Sequence, residues 1–427
     1  MKQNTVLSLF SGCGGMDLGF EGGFTVPSVC VNEALHPDWV SKKLENNTVL
    51  LKKTSFRTIF ANDILRPAHV AWVNYFQNKD PQTLERYFHR RSIVDLVKAA
   101  RNGGKSVFPK NVDVVVGGFP CQDFSIAGKR KGFKSHKNHY GQLSEGYNNP
   151  TNENRGMLYL WMRDVVDLVR PKAFIAENVK GLVSLSNVKD LIEKDFSGIG
   201  GSGYLVIPGK VLHAADYGVP QNRERVLFIG LLRSALKRKA LKALSDTTMS
   251  SDCDLFPRQT HRYNNQQLTS TGNGSLLPAV TVSQILRGLK EPGEATDLSQ
   301  VWYSKAKWYG KHCQGQTEVT LNNIGPTIRS EHHGNIEFRR LSKKHGGKHT
   351  KELEKGLPER RLTVRECARI QTFPDDYEFV RKIKDNPELN ISASEAYKLV
   401  GNAVPPLLAY HIAKRLEELW DDLFKGA

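Results

Sequence analysis

Cys121 lies in Gly117-Gly118-Phe119-Pro120-Cys121-Gln122, where the apolar run Val112 to Val116 stops abruptly. Open α/β sheets carry their ligands and chemistry at that edge. A cysteine held there on a Gly/Pro turn is a candidate nucleophile, the alternative being a small buried thiol. Glu177 closes the next apolar run, Lys172 to Ala176, so the two side chains can face one cleft. A desolvated glutamate beside a thiol stays protonated near neutral pH and can donate to a ring nitrogen; otherwise it caps the helix that follows. Gln221-Asn222-Arg223-Glu224-Arg225 puts two arginines on one side of a strand, suited to a carbonyl oxygen and an anion or to an edge salt bridge.

A second group could bind a small molecule. Phe10-Ser11-Gly12-Cys13-Gly14-Gly15 joins the strand Thr5 to Phe10 to a short helix, and glycines let a backbone approach a ligand closely. Glu33 and Asp63 are each expected to end a strand, Glu33 as an acceptor for ribose hydroxyls and Asp63 for an adenine amine. The three strand ends together outline a nucleoside-shaped pocket. His332, His333, His345 and His349 match no standard zinc spacing, so no metal site is expected.

These residues need a scaffold. Strands and helices alternate through the first half, which predicts a largely parallel sheet with helices on both faces. Pro27 to Asn32 reads as the second strand, His36 to Asn46 as a helix, and 65–110 as helical and charged. Gly128 to Asn154 is too polar to pack. The 427 residues are 39% hydrophobic and 25% charged, as in soluble globular proteins, and no apolar stretch approaches a membrane span. No signal peptide is expected, and six scattered cysteines without a CxxC pair fit a reducing cytoplasm. Net charge is +17, and residues 232–358 hold 20 Lys+Arg against 11 Asp+Glu. That excess predicts a polyanion partner. The expected organisation is a first domain over 1–231, a loop-rich second domain over 232–358, and a return segment over 359–427 that completes the first.

In order along the chain, these segments resemble the DNA (cytosine-5)-methyltransferase family. Phe10 to Gly15 is similar to its S-adenosylmethionine loop, Pro120-Cys121-Gln122 to its catalytic Pro-Cys-Gln, and Glu177-Asn178-Val179 to its Glu-Asn-Val. Gln221 to Arg225 is similar to its Gln-x-Arg-x-Arg, and Arg361-Leu362-Thr363 through Gln371-Thr372-Phe373-Pro374 to its joining segment. Gly401-Asn402-Ala403-Val404-Pro405-Pro406 resembles its last motif, and beside the family's compact members 65–110 looks like an insertion. The resemblance implies a Rossmann-like sheet binding S-adenosylmethionine through Phe10, Ser11, Gly12, Gly14, Glu33, Asp63 and Asn402. It also implies methylation of cytosine carbon 5, with Cys121 adding to carbon 6 of a flipped-out base, Glu177 at N3, Arg225 at O2 and Arg223 steadying the site. Gly128 to Asn154 would close over that base, and 232–358 would read flanking sequence. Candidate DNA contacts are Gln122, Ser125, Arg329, Asn335, Arg339 and Arg340. A monomeric prokaryotic modification enzyme working beside a restriction endonuclease fits this pattern.

Three rivals compete: the same reaction on RNA, an inactive DNA binder, and a cysteine hydrolase using His213. The large basic second domain favours DNA, and retention of Cys121, Glu177 and Arg225 favours an active enzyme. Cys121→Ser should abolish methyl transfer while specific DNA binding persists; normal turnover in that variant removes Cys121 from the mechanism.

Overall fold

The computed structural model describes residues 3–79, 88–103, 106–120, 157–183, 188–201, 203–245, 251–263, 276–330 and 336–426. Its first half runs β1 (Asn4–Leu9), α1 (Gly15–Glu21), β2 (Thr25–Pro27), β3 (Val40–Leu44), β4 (Thr48–Leu51), β5 (Phe56–Asn62), α2 (Arg66–Lys79), β6 (Phe88–His89) and α3 (Ile93–Arg101). There follow β7 (Val114–Gly118), α4 (Leu158–Val169), β8 (Ala173–Val179), α5 (Val188–Ser197), β9 (Tyr204–His213) and β10 (Glu224–Leu232). Seven of these strands form one sheet in the order β6-β5-β1-β7-β8-β10-β9. Neighbours run parallel from β6 to β8, and β10 is antiparallel to both β8 and β9.

Side-chain alternation gives the sheet two buried faces. Val6, Val114, Val116, Ile175 and Ile229 join one core cluster with α1, α2 and the long C-terminal helix Pro406–Leu423. Leu7, Leu9, Val115, Phe174 and Phe228 join the other, under α3, α4 and α5. The expected strand/helix alternation is therefore observed, with a mainly parallel central sheet.

Two local expectations are corrected. The second strand of the sheet is β5, ending at Asn62-Asp63, and not Pro27 to Asn32. Residues 25–51 instead form a separate antiparallel sheet, β2-β4-β3. Asn46 and Asn47 both take positive φ (61° and 56°) in the turn between β3 and β4, a conformation asparagine tolerates, so the predicted helix becomes a hairpin. Residues 65–110 pack on the sheet: α2 and α3 flank it and β6 pairs in parallel with β5.

Beyond β10 the chain first stays on the sheet domain. Arg415 of the C-terminal helix donates to the carbonyls of Asp252 and Asp254, and Tyr217 Oη to that of Pro257. Farther along, an ionic cluster ties residues 291–352 to residues 360–366. Arg360 grips Glu366 through two bonds of 2.9 Å and Glu291 through another of 2.9 Å; Arg340 pairs with Glu291 and Glu352, and Arg339 with Glu352. Arg340 is fully buried, and the Arg339 side chain is 11% exposed. Both were expected on DNA; their charge is consumed internally, because a buried guanidinium needs carboxylate partners more than a distant phosphate.

Breaking such a buried pair from one side costs about 3–5 kcal/mol, so Arg360→Ala should lose about that much stability in urea titration by stranding Glu366. Against the upward push of burial, Arg360 and Arg340 hold the Glu291 carboxyl at about 2, below the ordinary 4.5. Its stabilisation is therefore complete above pH 4.5 and lost as pH falls towards 2. Acid denaturation of Glu291→Gln should lack that part of the slope; a profile identical to wild type contradicts the assignment.

Candidate active site

The chain leaves β1 for β5 and β6 on one side, then returns to β7 and β8 on the other. Between β1 and β7 the connections diverge, and this opens the crevice in which such sheets bind ligands. Leu9 pairs with Asn62 on one flank and Gly117 on the other, so the three strand ends are level.

On the β1 side the glycine loop is stapled to β5. The Ser11 amide donates to Asn62 O at 2.9 Å, and the Asn62 amide to Ser11 Oγ at 3.1 Å. Phe10 and Gly12 take positive φ, 53° and 55°. The Gly12 amide donates to Asp63 Oδ2 at 3.0 Å, and no atom lies within 4 Å of the place a Cβ would take on Gly12. Open space thus begins where the loop meets Asp63. Gly14 is required for the opposite reason: at φ 78° a Cβ would stand 2.6 Å from Trp72 Cδ1. Burial pushes the Asp63 carboxyl up, opposed by the amides of Leu65, Gly12 and Ile64. The return segment closes this side, since a Cβ on Gly15 would stand 2.3 Å from Val404 O. Asn402 is exposed there at the end of helix Ala393–Asn402.

On the β7 side, Glu177 lies directly opposite Gly118, the last residue of the strand leading to Pro120. A Cβ on Gly118 would come within 2.7 Å of Glu177 Oε2. Asn178 Nδ2 donates to Phe119 O at 3.1 Å and holds the backbone just before Pro120. Arg225 lies diagonally across the β8–β10 ladder and pairs with Glu177, Nε to Oε1, at 2.7 Å. Burial raises the Glu177 pKa, with Arg225 and then Arg223 opposing. A nearly buried acid and guanidinium therefore stand together at the crevice, able to present a proton and a fixed donor to a planar ligand.

Arg223, expected to steady the site, is buried. It is 1% exposed and donates to the carbonyls of Ile328 (2.9 Å), Gly401 (3.0 Å) and Ala403 (2.8 Å). It positions the site instead of facing a substrate. Glu33 sits in the 25–51 unit, paired with Lys43 at 2.9 Å, and Asp63 is the acid that follows the second strand of the sheet. Cys121, Gln122, Ser125, Asn335 and the Gly128–Asn154 segment lie outside the described residues.

A family model described as C-5 cytosine-specific DNA methylase matches residues 4–418. The chain belongs to that family. This methylase is 29% identical over 430 residues to the Type II methyltransferase M.BspRI of Lysinibacillus sphaericus, covering 98% of this chain and 83% of the relative. It is 30% identical over 415 residues to M.BsuRI of Bacillus subtilis, covering 96% and 78%. Among solved structures, a putative DNA modification methyltransferase encoded within an E. coli prophage superposes with a TM-score of 0.52 at 19% identity, covering 98% of this chain and 100% of that one. At that identity the likeness speaks for the fold. The reaction is methylation of cytosine carbon 5 in DNA, and the family places DNA ahead of RNA as substrate.

Of the expected DNA contacts of the methylase, Arg329 stays half-buried at the surface with Nη1 3.2 Å from Gln314 Oε1. No cluster of metal-ligating side chains forms among the described residues, and His345 and His349 bond Glu359 and the Val319 carbonyl instead. His213 is bonded to Asn222 at 2.9 Å and stacked on Tyr263. Several positioning residues escaped the sequence reading. Gln221 Nε2 donates to Gln371 Oε1 at 2.7 Å, and Gln371 in turn donates to the Val400 carbonyl. Both glutamines lie in the motif segments, but nothing in a sequence pairs residues 150 positions apart.

Gly118→Ala should push Glu177 off Arg225 without unfolding the sheet. A misplacement of about 1 Å costs on the order of 100-fold in rate, so single-turnover methylation should fall by about that factor at unchanged thermal stability. Wild-type turnover in this variant contradicts the placement of Glu177.

Proposed function

We propose that this methylase uses S-adenosylmethionine and works through a covalent bond between Cys121 and carbon 6 of a flipped-out cytosine. The observation carrying this reading is the buried Glu177–Arg225 pair set against the last residue of β7, beside a glycine loop with open space at Gly12. The loop fits a nucleoside donor: Gly12 leaves room, and Asp63 ends the second strand where an acid accepts ribose hydroxyls. Asp63 takes the role first expected of Glu33; Phe10, Ser11, Gly14 and Asn402 frame the same pocket. S-adenosylmethionine, when bound, supplies an electrophilic methyl group.

The residues of the chain explain the rest. Cytosine carbon 5 is a poor nucleophile within an aromatic ring. The Cys121 thiolate adds to carbon 6, breaks aromaticity and makes carbon 5 enamine-like. An ordinary thiol has a pKa of about 8.5, so the site must favour the thiolate. Glu177, biased towards its protonated form by burial, donates to N3 as charge arrives, and Arg225 binds O2. Loss of the carbon 5 proton then expels Cys121 by elimination. Flipping the base costs a few kcal/mol of stacking and pairing. We place the enzyme in the cytoplasm as a monomer, protecting DNA from a partner restriction endonuclease; the Type II methyltransferase names of its relatives support that setting.

An oligonucleotide bearing 5-fluorocytosine at the target should trap the enzyme covalently through Cys121 when S-adenosylmethionine is present. Absence of an adduct overturns the mechanism. Because the Glu177 pKa is raised by burial, its protonated fraction falls as pH rises through that value. Single-turnover rates should therefore decline on the alkaline side, and Glu177→Gln should be slow and lack that limb.

A further inference from the structure

With Arg339 and Arg340 consumed internally, the basic excess of the second half must reach the surface elsewhere. Residues 302–317, Trp-Tyr-Ser-Lys-Ala-Lys-Trp-Tyr-Gly-Lys-His-Cys-Gln-Gly-Gln-Thr, contain three lysines, four aromatic residues and no acid. Exposure alternates along them as on a strand: Lys305, Lys307, Tyr309 and Lys311 face outward, while Ala306, Trp308 and Gly310 lean in. Tyr309 is 64% exposed and Trp302 50%, unusually open for large aromatic side chains. None of the three lysines has a carboxylate partner among the described residues; Lys305 Nζ sits 3.4 Å over the Tyr303 ring.

The backbone beneath is held from below. Buried Arg361 donates to the carbonyls of Ala306, Lys307 and Gly315, and Trp308 Nε1 to Gln316 O at 3.1 Å. The Tyr309 amide donates to Gln316 Oε1 at 2.8 Å, and Trp308 stacks on His345. The outward row is thus ordered in advance of any ligand, which lowers the entropy cost of binding. Its far end meets the crevice. Gln314 contacts Arg329, and the Arg329–Ser330 backbone packs so closely on Gly401 that a Cβ there would lie 2.1 Å from Arg329 C. Arg223 grips Ile328 and Gly401 in the same place.

We infer that Lys305, Lys307, Tyr309 and Lys311 form a duplex-DNA contact ribbon, the lysines on phosphates and Tyr309 packed on a sugar or base edge. The inference rests on the DNA-methylase reading and adds the surface that engages the duplex. Lysines without acids, spaced along a rigid row that ends beside the site, complement a phosphate backbone entering that site. Open aromatic faces among them suit nucleic acid better than a purely ionic partner.

The test uses the full-length enzyme and a duplex fragment carrying its methylated site, mapped by bisulfite sequencing. Each lost phosphate contact lowers the slope of log affinity against log salt by about 0.9, so the triple variant Lys305→Gln/Lys307→Gln/Lys311→Gln should lose about 2.7 from that slope and bind at least about tenfold more weakly. Its thermal midpoint and far-UV circular dichroism should match wild type, which excludes misfolding. Tyr309→Ala should weaken binding with the salt slope intact. An unchanged slope and affinity in the triple variant, with wild type methylating the same duplex, overturns the ribbon and leaves the enzymatic reading standing. Failure of wild type to bind duplex DNA overturns both.

Discussion

The guanidinium of Arg223 is the joint on which the geometry of this methylase depends. It lies at the entry to β10, and its three carbonyl acceptors come from residues 105, 178 and 180 positions away. A buried cation bonded to neutral carbonyls is costly to leave unsatisfied, so the sheet and the backbones at Ile328 and Gly401–Ala403 must assemble together. Gln221 and Gln371 run a second, neutral link across the same seam: Gln221 Oε1 accepts from the Ile328 amide, and Gln371 donates to the Val400 and Ala403 carbonyls. Two sides of the crevice, separated by most of the chain, are thereby held in one register.

The crevice itself follows from topology. Since the sheet grows outward from β1 in both directions, the glycine loop and the strand leading to Cys121 emerge side by side, with β5 and β8 supplying an acid on either flank. The antiparallel β10 then brings Arg225 back against Glu177. Burial and a neighbouring cation act in opposite directions on that carboxyl, leaving it raised yet paired.

Charge in this protein divides into two populations that composition cannot separate. Arg339, Arg340, Arg360 and Arg365 are turned inward onto Glu352, Glu291, Glu366 and Asp297. Lysines of the 305–311 ribbon remain at the surface. Arginine suits the first task because its planar fork satisfies several acceptors at once; lysine suits solvated phosphate contact as a point charge.

The strand-end positions of Glu177 and Asp63 and the glycine loop before α1 were legible in the sequence because each sits in a short local pattern. The parallel sheet was legible too, from apolar runs spaced by helical segments. What misled was local resemblance without pairing partners. Glu33 follows an apolar run as Asp63 does, but only β5 hydrogen-bonds to β1, and the 25–51 hairpins close on themselves through the Asn46-Asn47 turn. The length of 65–110 suggested an insertion, and β6, only two residues long, carries almost no pattern of its own to place it at the sheet edge. Arg223 and Arg225 are indistinguishable at spacing two, as are Arg339 and Arg340 among basic neighbours. Their fates are set by acceptors brought from far along the chain, and such long-range pairing exists only once the tertiary structure has formed.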